Sequence, residues 1–228
     1  MPLARGIAAV MIDLDGTLLD TVPDLAAAAE RMLAALDLRP CPAEQIRGFV
    51  GKGIPKLVER CLEASAGRER AGALQGEALA LYLDFYAEES GRRTALYPGV
   101  IEGIERLRAM GLRLACVTNK AECFTLPLLE QKGLAAYFEL VVSGDTLARK
   151  KPDPMQLAHI CAVFAFAPER VLLIGDSVND ALAARAAGCP VVCVSYGYNE
   201  CGDVHDLDCD AIVGSLLDVA VILESNRS

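Results

Sequence analysis

No uncharged apolar run in this chain of 228 residues approaches the roughly 18 residues that a membrane-spanning helix requires. The most apolar stretch near an end, 211–223, is interrupted by Gly214, Ser215 and Asp218. The apolar piece at the other end, Gly6 to Ile12, is short and runs straight into Asp13. No signal peptide is therefore expected, and cleavage there would remove a strand that the fold needs. Basic residues are few. Lys and Arg number 22 against 31 Asp and Glu, a formal charge of −9, which argues against nucleic acid as a partner held through phosphate-backbone electrostatics. Tryptophan is absent. The nine cysteines are an odd number with no framework of a small secreted domain, so reduced thiols and a cytoplasmic location are expected. There is no internal repeat, low-complexity tract or long linker. What is present is a globular composition, 53% hydrophobic and 23% charged, with chain enough for one full domain and a smaller one. An acidic balance still permits a small phosphorylated ligand, because one site can be locally positive or hold a metal. Monomer and dimer are both compatible with these features.

Short β-branched and apolar runs alternate with longer helical patterns. The runs Ile7–Leu14, Leu112–Thr118, Phe138–Ser143, Val171–Gly175, Val191–Ser195 and Ala211–Val213 read as strands. Helices are predicted to start near Gly99, Ala121, Asp153, Ser177 and Ser215. Alternation of this kind predicts an α/β fold with a doubly wound, Rossmann-like parallel sheet covered on both faces. From Thr21 to Leu96 the alternation stops and only helical pattern is found. Leu74, Ala78, Leu81, Tyr82 and Phe85 recur at helical spacing and predict one apolar face. Thr21, Pro23 and Asp24 read as a helix start, and Pro40-Cys41-Pro42 as a break. The expected division is a core of residues 1–20 and 96–228 with an inserted small helical domain of residues 21–95.

The strongest chemical signal is Asp13-Leu14-Asp15-Gly16-Thr17-Leu18, directly after the first strand. Open parallel sheets place ligand sites beyond the carboxyl ends of their strands. Two carboxylates there are costly unless neutralised, and Mg²⁺, a hard cation that prefers carboxylate and carbonyl oxygens, is the usual solution. Three further strand ends carry polar residues. The second run ends in Thr118-Asn119-Lys120, a hydroxyl and main-chain N–H groups that suit an anion, although taken alone this segment reads better as a simple Thr helix cap. Lys150-Lys151-Pro152 offers a lysine ahead of a restricted turn. Gly175-Asp176-Ser177-Val178-Asn179-Asp180 contains a helix-capping signature, Ser177 with Asp180, which leaves Asp176 at the strand tip without a structural reason.

Taken together, D-x-D-G-T, T-N, K-P and G-D-S-x-N-D, each at the end of a predicted strand, resemble the haloacid dehalogenase superfamily of phosphohydrolases, and the inserted helices resemble its cap. Ser195-Tyr196-Gly197-Tyr198-Asn199 and Tyr97-Pro98-Gly99-Val100 look like its bacterial phosphoglycolate phosphatase subfamily. The resemblance implies Asp13 as a nucleophile that forms a phosphoaspartyl enzyme and Asp15 as general acid and then base. It implies Mg²⁺ on Asp13, the main-chain carbonyl of Asp15, and Asp176, with Asp180 in support behind the ligands. Thr118 and the Asn119 N–H would hold phosphoryl oxygens, and Lys151, which directly precedes the proline, would offset charge in preference to Lys150. The charges agree. Four aspartates and a phosphate dianion against one lysine would repel the substrate without a divalent cation. In the glycine-flanked segment 47–53, Lys52 is expected to reach a substrate carboxylate when the cap closes, and Arg47 is a weaker candidate.

The resemblance points to a small acidic substrate, 2-phosphoglycolate. The same motifs also serve phosphatases for sugar phosphates or pyrophosphate, and β-phosphoglucomutase-like enzymes. A receiver-type phospho-acceptor module shares the acidic pocket, the hydroxyl residue and the Lys, but lacks both a second acid/base two residues after the nucleophile and an inserted cap. Cys201, His205 and Cys209 are spaced like metal ligands, yet Gly202 and the aspartates around them argue against one helix face, and no zinc site is expected. Cys189 and Cys193 read as core residues, and His159 as packing or surface.

Overall fold

The computed structural model describes residues 6–199 and 202–226 of the chain. The first apolar run becomes β1 (Ala9–Ile12), whose four residues are all fully buried. It lies at the centre of a six-stranded sheet. On one side it pairs in parallel with β4 (Arg113–Val117), which pairs with β5 (Leu140–Val142). On the other side it pairs with β6 (Val171–Gly175), followed outward by β7 (Val191–Val194) and β8 (Ala211–Val213). The order β5-β4-β1-β6-β7-β8 puts the reversal of strand direction of growth at β1, the place where such sheets open a crevice.

Successive residues of a strand point to opposite faces, and here both faces are covered. Val10 and Ile12 pack with Leu114, Cys116, Leu172 and Ile174 under α5 (Val100–Ala109), α6 (Glu122–Gln131) and α9 (Leu216–Ser225). Ala9 and Met11 pack with Ala115, Val117 and Leu173 under α7 (Met155–Phe164) and α8 (Val178–Ala187). Strands buried on both faces lack polar alternation, which is why they read as continuous apolar runs. Cys189 and Cys193 belong to the second of these cores and His159 to helix α7.

Between β1 and the rest of the sheet the chain forms α1 (Val22–Ala35), α2 (Ala43–Arg47), α3 (Ile54–Ala66) and α4 (Arg68–Glu89). These four helices bury their own apolar cluster, including Leu25, Met32, Val58, Leu62, Tyr82 and Tyr86. The expectation of no strand between Thr21 and Leu96 needs one correction. Leu19–Asp20 (β2) and Ala95–Leu96 (β3) form a two-stranded antiparallel pair where the chain leaves and re-enters the sheet domain. Segments of two residues are too short for alternation to show. The role of Asp24 also differs. Its carboxylate does not simply start α1 but accepts from Gly91 N at 2.9 Å, Arg93 N at 2.7 Å, and Thr94 N and Oγ1 at 3.0 and 2.6 Å. It ties the entry of the helical insertion to its exit. Among the described residues, no helix is long and apolar enough to cross a membrane.

Candidate active site

Four strand ends converge on one point. Asp13 follows β1, Thr118 and Asn119 follow β4, Lys151 follows β5, and Asp176 follows β6; with Asp180 they line a single cavity. The ammonium of Lys151 is buried and donates to Asp13 Oδ1 at 2.6 Å, Asp180 Oδ1 at 2.7 Å and the Val117 carbonyl at 2.9 Å. All three of its N–H donors are thereby used. Lys150 lies outside this arrangement, with its Nζ beside Gly53. Gln156, from α7, fixes the approach of Lys151 by accepting from the Lys151 N–H at 3.1 Å and donating to the Thr118 and Ser143 carbonyls. Nothing in the sequence around Gln156 marks it for this task.

Asp180 makes the cap its spacing suggests and one further contact. Its Oδ2 accepts from the N–H and Oγ of Ser177 at 3.1 and 2.6 Å, completing a capping box at the start of α8, while Oδ1 meets Lys151. Asp176 Oδ2 accepts from Tyr198 N at 2.6 Å and Oδ1 from Thr17 Oγ1 at 3.4 Å. Gly16 and Gly197 form the cradle around it. A Cβ on either would fall within 2.3 or 2.1 Å of the Asp176 side chain, so neither position accepts a side chain without displacing this carboxylate.

Asp13, Asp176 and Asp180 are buried, and one oxygen of each lies within 4.8 Å of the others. Among the described residues this is the one such group of three. Burial pushes Asp13 well above the usual carboxylate range; Lys151 pulls it down, and Asp180 and Asp176 push it further up. Burial, then the charge of Asp180, pushes Asp176 up to about 7. Crowded carboxylates that resist joint ionisation are the donor set of a hard divalent cation, so these residues fit a metal such as Mg²⁺. Asp15, expected as a ligand through its main-chain carbonyl, turns its carboxylate elsewhere, toward Thr21 Oγ1 at 2.8 Å and Lys120 Nζ at 3.1 and 3.2 Å.

The helical insertion closes over this cavity. Asn119 Nδ2 donates to the Gly51 and Lys151 carbonyls, both at 2.8 Å, while its Oδ1 is buried without a partner among the described residues. Thr118 does not cap α6; its Oγ1 accepts from Lys120 N at 3.2 Å, and it lines the cavity. Arg47 reaches from the insertion to the Tyr196 carbonyl at 3.0 Å and lies 4.9 Å over the Tyr198 ring. Lys52 is exposed, and although Gly51 lines the cavity, Lys52 does not. The Tyr198 hydroxyl joins the sheet domain to the hinge of the insertion through Thr21 N at 2.6 Å, Val22 N at 3.2 Å and Asp20 Oδ1 at 2.9 Å. Tyr196 packs on Tyr97 with ring centroids 4.2 Å apart and donates to the Thr17 carbonyl at 2.7 Å. Cys201 lies outside the described residues; His205 is exposed on a short 3₁₀ turn, and Cys209 packs in the core with Cys193.

Residues 7–188 match the haloacid dehalogenase-like hydrolase family. The chain belongs to that family. Its relatives in this haloacid dehalogenase-like hydrolase family include the phosphoglycolate phosphatase of Nitrosospira multiformis, 55% identical over 220 residues, covering 96% of this chain and 97% of the relative. The phosphoglycolate phosphatase of Thiobacillus denitrificans is 53% identical over 218 residues, covering 95% and 96%. The crystal structure of a protein described as a predicted phosphoglycolate phosphatase from Haemophilus somnus 129pt superposes with a TM-score of 0.90 at 30% identity, covering 95% of this chain and 98% of that one.

Proposed function

We propose that this hydrolase converts 2-phosphoglycolate to glycolate and phosphate through a phosphoaspartyl intermediate, with Mg²⁺ as its cofactor. The observation that carries the reading is Asp13, held by Lys151 at 2.6 Å in a cavity shared with Thr118 and three further aspartates. The full-length relatives named phosphoglycolate phosphatase support the choice of substrate.

Asp13 attacks phosphorus through its free carboxylate oxygen, and the ester P–O bond breaks as the new P–O bond to Asp13 forms. Asp15 gives its proton to the departing ester oxygen, releasing glycolate. It then takes a proton from the water that attacks phosphorus, which returns Asp15 to its acid form, and the bond between the Asp13 oxygen and phosphorus breaks to restore the Asp13 carboxylate and release phosphate. Asp13, the main-chain carbonyl of Asp15 and Asp176 would hold the cation, and Asp180 would orient its water. When bound, the cation offsets the carboxylate and phosphate charge and polarises the phosphoryl group. Thr118 and Asn119 would receive phosphoryl oxygens, and Lys151 holds Asp13 in line while balancing its charge. Helices α1–α4 act as the cap, residues 21–95, that excludes water from the transfer. All eight cysteines among the described residues are free thiols, as suits work in a reducing cytoplasm.

The test is phosphate release from 2-phosphoglycolate, glucose 6-phosphate, β-glucose 1-phosphate and pyrophosphate, each with Mg²⁺ and with EDTA. A metal-dependent preference for 2-phosphoglycolate is expected. Comparable low rates across the panel would leave a phosphatase but remove the substrate assignment, and no release from any compound would remove the hydrolase reading.

A further inference from the structure

Lys120 is a buried cation with no part in the mechanism above. Its ammonium lies 3.1 and 3.2 Å from the two oxygens of Asp15 and 5.0 Å above the ring of Tyr86, which the cap contributes. Burial works against its charge, and Asp15 and Tyr86 together more than offset that. It lines a second cavity that shares Asp15, Val50, Gly51 and Asn119 with the first and extends between Leu25, Ile54 and Leu57 of the cap. Among the described residues lining this second cavity, Lys120 is the one cation.

Resting on the reading of Asp15 as the acid that protonates the ester oxygen, the leaving group must extend away from phosphorus on the Asp15 side, into this second cavity. The cavity measures about 40 Å³. At about 10–15 Å³ for each water-sized group it takes roughly three of them, which suits a two-carbon fragment. Its walls are apolar apart from Asp15, Asn119 and Lys120. A carboxylate on a leaving group that enters this cavity meets Lys120 as the one cation on its described walls, and an ammonium held out of water favours a charged partner over a neutral one. We propose that Lys120 is the specificity-determining residue of this enzyme, pairing with a carboxylate on a two-carbon leaving group, in place of the exposed Lys52.

The decisive comparison uses 2-phosphoglycolate and ethyl phosphate, esters of similar size that differ in the carboxylate, with wild type, Lys120→Met and Lys120→Arg. Wild type is expected to favour 2-phosphoglycolate by about 100-fold or more in kcat/KM, since a site built around a charged partner rejects the analogue lacking it. Lys120→Met should bring that ratio to within about 5-fold, and Lys120→Arg should restore most of it. A loss in Lys120→Met that is equal for both esters would mean Lys120 acts only by positioning Asp15, and would overturn the proposal. The wild type also tests it where Lys120→Met does not fold: glycolate should compete against ethyl phosphate far better than ethanol does. Wild type that hydrolyses both esters alike, or is inhibited alike by glycolate and ethanol, overturns the carboxylate pocket and leaves a phosphatase. Wild type that hydrolyses neither overturns the phosphatase reading itself, and this one with it.

Discussion

Lys151 Nζ lies 2.6 Å from Asp13 Oδ1 across 138 positions of sequence. No local element joins them. β1 and the turn after β5 are separated by β4, and it is the parallel register that brings both strand ends to one edge. The same ammonium reaches Asp180 at 2.7 Å, so one positive charge serves two of three clustered carboxylates. The surplus of negative charge is the physical basis for several expected behaviours.

Replacing Asp13 with Asn keeps the shape and an oxygen for Lys151 but removes the nucleophile. Phosphate release should fall by about 10³-fold or more. Melting of the metal-free protein should be no lower than wild type, because the substitution removes one of three mutually repelling charges. A residual rate within about 10-fold of wild type would exclude Asp13 as the nucleophile.

Asp176, with its carboxyl pushed up to about 7 from an ordinary 3.8, retains a proton in the folded state through a pH range where the unfolded chain has lost it. Folded protein then binds more protons than unfolded, so the stability this group contributes is lost as pH rises from about 4 to about 7. Asp13 shifts in the same direction. Metal-free protein should therefore melt lower at pH 8 than at pH 5.5. Added Mg²⁺ should raise the melting temperature more at pH 8, where it does not compete with protons. Differential scanning calorimetry with EDTA and with Mg²⁺ reads both; a larger Mg²⁺ shift at pH 5.5 would contradict the arrangement.

Gly197→Ala would place a Cβ 2.1 Å from Cβ of Asp176. Overpacking of this kind costs about 1–3 kcal/mol, and the displaced carboxylate should weaken Mg²⁺ activation beyond what the stability loss explains. Urea unfolding and a Mg²⁺ titration of activity check the two effects separately.

Tyr198→Phe removes the hydroxyl that meets Thr21 N and Val22 N at the hinge of the cap while leaving the main-chain N–H on Asp176. Two buried donors then lack an acceptor, which costs about 1–3 kcal/mol for each group left unsatisfied. Stability should fall, and KM should rise more than kcat falls, because the hinge and not the phosphoryl site has changed. An unaltered KM with a lowered kcat would place the tyrosine in the chemistry instead.

Much of this molecule was legible in one dimension. The parallel α/β sheet follows from apolar runs at strand length alternating with helical periodicity, and all six expected strands are present. Asp13, Thr118 and Asp176 could be picked out because the carboxyl ends of parallel strands share one edge, so polar residues following such runs must lie close together; the choice of Lys151 over Lys150 came from the family resemblance. The capping of Ser177 by Asp180 is local and equally readable. Periodicity carries no information about side-chain partners distant in sequence, and these were settled by tertiary packing. Only there does Gln156 fix Lys151, Asp24 clasp the exit of the insertion, and Tyr198 join Asp176 to the hinge. The lysines show the division most clearly. The sequence singles out Lys52 as the cation for a substrate carboxylate and marks Lys120 for nothing; burial beside Asp15 and under the cap's Tyr86 distinguishes Lys120, because the closure of helices over the sheet decides which charge is removed from water.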